Sequence, residues 1–97
     1  ILDVGCGNGR LVGSLAELGF DLFYTGLDNS TNLLAQAWEN FGFQYKQVKI
    51  VWQEGDMQNL PFSDNVFDVV FAIASLHHLP STELRQQALA EFNRVLK

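Results

Sequence analysis

Ile1-Leu2-Asp3-Val4-Gly5-Cys6-Gly7-Asn8-Gly9-Arg10 is an apolar run that breaks into glycine at every second position. Ile1, Leu2 and Val4 suit a buried strand, while the glycines permit positive φ angles and a close approach of ligand to main chain. Leu11, Val12, Leu15, Ala16 and Leu18 come next at helical spacing, and Gly19 stands where a helix C-cap belongs. The stretch predicts strand, turn and helix in succession, with a nucleotide-type binding turn between them.

Two familiar ligands of such turns fit poorly. The dinucleotide fingerprint needs a small third residue where the helix crosses the strand, and counting from Gly5 and Gly7 that position holds Arg10. No glycine-lysine-serine/threonine succeeds the loop, which removes the P-loop. An NAD(P)-binding oxidoreductase remains an alternative, because it would share the strand-turn-helix unit and an acidic residue at the next strand tip.

Leu22 to Leu27 reads as the second strand and ends in Asp28, close to the roughly 20-residue offset at which a carboxylate accepts a ribose diol. Asp28 could instead be a turn residue or the cap of the next helix. Ser30 or Thr31 can cap that second helix, whose Leu33, Leu34, Ala37, Trp38 and Phe41 form a packing stripe up to Gly42, with Trp38 expected in the core. Gln44 to Gln47 reads as a polar link and Val48 to Gln53 as the third strand, which brings Glu54-Gly55-Asp56-Met57 to the ligand edge of an open sheet.

Leu60-Pro61-Phe62 reads as an apolar tuck and Ser63-Asp64-Asn65 as a turn. Val66 to Ala74 is almost continuously apolar, as a central parallel strand buried on both faces should be, with Asp68 structural near its start. That strand delivers Ser75 to Pro80 to the same edge. A last helix from Ser81 or Thr82 turns Leu84, Ala88, Leu89, Phe92, Val95 and Leu96 to the sheet, with Arg85, Gln86, Gln87, Glu91 and Arg94 on its polar side. The alternation specifies an α/β sheet with right-handed crossovers, and the expected architecture is a Rossmann-like doubly wound parallel sheet of order 3-2-1-4, in one domain over residues 1–97.

Composition narrows the function. With 97 residues, 47% hydrophobic and 18% charged, the chain can bury one core. A net charge of −5 opposes a grip on nucleic-acid phosphates. The single Cys6 can form neither an internal disulfide nor a multi-cysteine metal site, which suits a reducing, cytoplasmic location. No apolar run reaches the roughly 18 residues of a membrane span, and no secretory signal is visible. Ile1 starts within a strand and Lys97 closes a helix, so the chain is expected to be a fragment of a longer protein.

The glycine alternation with Asp3 just upstream resembles the first motif of the class I S-adenosylmethionine (SAM) methyltransferases of the small-molecule and quinone-biosynthesis type. The likeness extends through Gly26-Leu27-Asp28-Asn29-Ser30, Asp56 before Leu60-Pro61-Phe62, Phe67-Asp68-Val69-Val70, Leu76-His77-His78-Leu79 and Arg94-Val95-Leu96-Lys97. It implies a truncated core lacking the fifth and later strands. It also implies that Asp3 receives the ammonium of the cofactor's methionine end, directly or through water, while the backbone of Gly5, Cys6, Gly7, Asn8 and Gly9 passes the ligand. Asp28 with Asn29 would meet the ribose and Asp56 with Met57 the adenine, and Ala72 and Ile73 complete the cofactor-binding set. No metal is expected.

His77 and His78 are candidate general bases, needed only for an acceptor that must lose a proton, and they could equally shape the pocket. A narrower likeness, carried by Ala72 to His78, Ser81 to Arg85 and Ala88-Leu89, is to transfer-RNA wobble-uridine carboxymethyl methyltransferases. The expected function is methyl transfer from SAM to a small molecule or a modified base. The alternatives are the NAD(P)-binding domain and a non-catalytic methyltransferase-like partner domain.

Overall fold

A computed structural model describes residues 1–73 and 79–97. Its elements are β1 (Leu2–Val4), α1 (Arg10–Ala16), β2 (Leu22–Asp28), α2 (Thr31–Phe41), β3 (Gln44–Tyr45), β4 (Val48–Glu54), β5 (Val70–Phe71) and α3 (Thr82–Val95). They form one sheet of order β3-β4-β2-β1-β5. β1 pairs in parallel with β2 and β5, and β2 in parallel with β4. The expected order 3-2-1-4 is therefore present as β4-β2-β1-β5, and the chain changes direction across the sheet between β1 and β5. Ligands of open parallel sheets bind at such a switch point, beyond the strand C-termini.

Alternation along the strands divides the core. Leu2 and Val4 join Leu27, Leu60, Phe67, Ala88, Phe92 and Val95 on the face covered by α3. Tyr24, Val48 and Ile50 join Val12, Leu15 and Ala16 on the other. Helices thus cover both faces, as a doubly wound sheet requires. None of the described helices is long and apolar enough to cross a membrane.

Several local expectations give way to tertiary contacts. The 44–47 link contains β3, antiparallel to β4, because Lys46 at φ 52° reverses the chain tightly and sets Tyr45 opposite Val48. The fourth strand is shorter than Val66 to Ala74. Val66 and Phe67 donate their amides to the Val95 carbonyl, both at 2.8 Å, so this part of the run seals the end of α3, and Val66 and Val69 stay partly exposed. Asp68 pairs with Lys97 at 3.3 Å.

α1 ends at Ala16, which leaves Leu18 exposed beyond it and Gly19 in the left-handed region at φ 82°. Trp38 is 51% exposed and stacks on Phe43 rather than entering the core, because α2 meets the sheet through Ala37 and Phe41. Leu89 is likewise exposed, one residue around the helix from the buried line Ala88, Phe92 and Val95. The second and third helices are capped by Ser30 and Ser81, whose hydroxyls accept the amides of Leu33 and Leu84.

Candidate functional site

The glycine loop is tied to the tip of β2 at two levels. Gly5 and Cys6 donate their amides to the Leu27 carbonyl at 2.8 and 3.0 Å. Gly7 donates to Asp28 Oδ2 at 2.9 Å, and Ser30 donates to Asp28 Oδ1 at 2.9 Å. Asp28 is therefore a turn residue, while the helix cap itself is Ser30. A carboxylate has about four acceptor sites, so two amides leave it able to take ribose hydroxyls as well.

The alternating glycines serve different ends. Gly7 sits at φ 58° with open space where a side chain would be, so its side of the loop can approach a ligand. Gly9, at φ 88°, is buried, and a Cβ there would lie 2.9 Å from Trp52 and 3.0 Å from Phe41. The structure places Gly9 at the start of α1 against these aromatics and away from the cleft, so its glycine answers to packing.

The principal cleft, of about 640 Å³, lies at the switch point. It gathers Gly5, Gly7, Asn8, Asp28, Asn29, Asp56, Met57 and Ile73 from the expected cofactor set. Gly55 and Leu79, from the two segments expected at the ligand edge, also line it, as do Arg10, Leu33 and Gln58, which no local signal in the sequence marks as cleft residues. A smaller cavity of about 280 Å³ adjoins it through Gly5, Arg10 and Ile73, and adds Asp3, Cys6, Leu11 and Ser14. Ala72 lines neither and packs on the core beneath α3. His77 and His78 lie outside the described residues.

Charge is concentrated between the two spaces. Asp3 is only 5% exposed, and Tyr24 donates its hydroxyl to Asp3 Oδ2 at 2.6 Å. Burial pushes the Asp3 carboxyl up from its ordinary range, while the Tyr24 hydrogen bond and the Arg10 charge pull it back. Burial, with Asp3 and Asp28 nearby, raises the Cys6 thiol to about 12, so it remains protonated and is no nucleophile near neutrality.

Asp56, Met57 and Gln58 reach the cleft on a turn closed by the Asn59 amide on the Asp56 carbonyl at 3.2 Å. The 60–64 segment beyond that turn is held by two α3 side chains that the helical pattern assigns to a solvent face. Glu91 accepts the Leu60 amide at 2.8 Å, and Arg94 donates to the Leu60 and Phe62 carbonyls at 3.1 and 2.7 Å and to Asp64 at 2.8 Å. A spacing of three is compatible with the Glu91–Arg94 pair itself, but nothing local identifies the loop they grip.

A glycine loop, an acidic strand tip and the turn after β4 meeting at the switch point define an α/β domain built for a nucleoside-bearing ligand. Residues 2–97 match the family model described as a methyltransferase domain, and the chain belongs to that family. It is 39% identical over 100 residues to a 2-phytyl-1,4-naphtoquinone methyltransferase of Nostoc punctiforme, covering 99% of this chain and 41% of the relative. A SAM-dependent methyltransferase structure from Methanosarcina mazei superposes with TM-score 0.85 at 29% identity, covering 99% of this chain and 46% of that one. The 4+2 cyclase SpnF superposes with TM-score 0.76 at 33% identity, covering 99% of this chain and 34% of that one. The chain thus spans less than half the length of each of these proteins.

Family membership implies S-adenosylmethionine as cofactor and sets the NAD(P) alternative aside. The residues present fit it: Asp28 retains acceptor capacity at the cleft, and buried Asp3 faces the adjoining cavity with a cationic residue, Arg10, beside it.

Proposed function

We propose that this chain is the cofactor-binding core of a methyltransferase acting on a small organic acceptor. The observation that carries the reading is the joining of Asp28, at the cleft, to the glycine loop through the Gly7 amide. Bound there, SAM would supply an electrophilic methyl group on its sulfonium. Asp28 takes the ribose, the Asp56-Met57 turn takes the adenine, and Asp3 takes the ammonium of the amino-acid end. Such fixed contacts matter because methyl transfer depends on holding the acceptor in line at near-attack distance.

A small acceptor of quinone type is favoured by the naphthoquinone methyltransferase relative. The wobble-uridine acceptor has no comparable support from these relatives, and the net charge of −5 works against an RNA partner. His77 or His78 would act as base only for an acceptor that loses a proton. The lone Cys6 fits a reducing, cytoplasmic setting, and a span of less than half the length of its relatives favours reading residues 1–97 as one domain of a longer protein.

The similarity to a cyclase makes turnover a separate question from fold. Calorimetric titration of SAM, S-adenosylhomocysteine and NADH, combined with a labelled-methyl transfer assay on quinone-type phenols, tests both. Binding of the first two with label transferred supports the proposal. Saturable NADH binding instead would overturn the cofactor reading, and SAM binding without transfer would favour a non-catalytic domain.

A further inference from the structure

Tyr24 is 1% exposed, and its ring is held in the core formed with Val12, Leu15, Val48 and Ile50 and lies edge-on to Trp52, with centroids 5.6 Å apart. The ring therefore has little freedom, and its hydroxyl is aimed at one oxygen of Asp3. A buried carboxylate satisfied by one donor is incompletely compensated. Among the described residues, no other side chain donates to Asp3 and no cation lies within ion-pair distance of it. Asp3 lines the smaller cavity, and an ammonium there, with three donors, would complete its carboxylate.

We propose that Tyr24 is a positioning residue for the cofactor's amino-acid end, its hydroxyl holding Asp3 ionised and oriented so that the free carboxylate oxygen receives the cofactor ammonium. This rests on the methyltransferase function proposed for the chain. The groups that bear on Asp3 are Arg10 from α1, Asp28 and Tyr24 from β2, and the neutral Cys6 thiol from the loop; β5 presents Phe71 opposite it. Arg10 and Tyr24 favour the ionised carboxylate, whereas Asp28 and burial oppose it. Removing the Tyr24 hydroxyl leaves the opposing influences in place, so Asp3 should protonate at higher pH and release the ammonium earlier as the solution is acidified.

The test compares S-adenosylhomocysteine with 5′-methylthioadenosine, which keeps the nucleoside thioether and lacks the amino-acid tail. Both are titrated into the unaltered protein, Tyr24→Phe and Asp3→Asn across acid to neutral pH. Tyr24→Phe should move the midpoint of the acid loss of S-adenosylhomocysteine binding upward by about one pH unit, as a lost hydrogen bond to a carboxylate would. Binding of 5′-methylthioadenosine should be unchanged, and Asp3→Asn should abolish the tail-dependent acid limb. An unshifted midpoint in Tyr24→Phe, or equal weakening of both ligands, would overturn the proposal. Failure of the unaltered protein to bind S-adenosylhomocysteine at any pH would instead overturn the methyltransferase function on which it rests.

Discussion

Asp28 accepts the Gly7 amide at 2.9 Å, which makes the acidic tip of β2 and the glycine loop after β1 a single structural unit. The same carboxylate accepts the Ser30 amide, so it also sets the entry to α2. A ligand meeting Asp28 therefore meets a group already oriented by two backbone donors, which lowers the cost of ordering it on binding.

Asp28→Ala should consequently weaken two things together. Losing the ribose acceptor is expected to lower SAM affinity by at least about tenfold, and leaving two partly buried amides without their partner should cost about 1–3 kcal/mol of stability. Calorimetry and denaturant titration of the same variant check both. A full loss of affinity with unchanged stability would mean that water replaces the carboxylate at the Gly7 and Ser30 amides.

Gly7 and Gly9 should separate ligand binding from folding. Both have positive φ, so alanine at either carries about 1–2 kcal/mol of left-handed strain. At Gly9 the new Cβ also meets Trp52 and Phe41 at 2.9 and 3.0 Å, which adds an overpacking cost of about 1–3 kcal/mol. Gly9→Ala should therefore be clearly the less stable variant by denaturant midpoint. Gly7→Ala should fold more readily yet lose more SAM affinity, because its Cβ points into open space at the cleft.

That contrast also marks what is legible in the sequence. The succession of strands and helices, the Asp28 tip and the Asp56-Met57 turn come from local signals, since glycine spacing and apolar runs are written along the chain. Gly9 looks like its neighbours because its constraint comes from Phe41 and Trp52, far away in sequence. Tyr24 reads as an ordinary strand aromatic, since only the pairing of β1 with β2 brings its hydroxyl to Asp3. The shortness of β5 escapes for the same reason: the Val95 carbonyl that captures Val66 and Phe67 is almost 30 residues downstream.

The Glu91–Arg94 pair should tie stability to the turn that carries Asp56. Arg94→Met removes the donors to the Leu60 and Phe62 carbonyls, and is expected to lower the melting temperature by several degrees. Arg94 is partly exposed, so much of its charge effect should disappear in high salt while the loss of carbonyl hydrogen bonds persists. The Arg94 hydrogen bond holds the Glu91 carboxyl below its ordinary value of 4.5. A depressed folded-state value means that this contribution is intact above about pH 4.5 and fades as acid carries Glu91 through its folded-state titration. Melting curves of the unaltered protein and Glu91→Gln should accordingly converge toward low pH.

Cys6 supplies an alkaline counterpart. Its thiol is raised from 9.0 to about 12 in the folded chain, so above pH 9 the unfolded state releases a proton that the folded state retains. The unfolded state then binds fewer protons, and stability must fall as pH rises, at up to about 1.4 kcal/mol per pH unit from this group. The loss should begin near pH 9 and continue toward 12. Cys6→Ala should flatten that slope between about pH 9 and 10 relative to the unaltered protein, in denaturant titrations under reducing conditions. The native thiol should also react with iodoacetamide at about pH 8 roughly a hundredfold or more slowly than the unfolded chain, because so little of it is thiolate. Rapid alkylation without unfolding would show that the smaller cavity admits solvent to Cys6 and that its thiol titrates far lower than its burial requires.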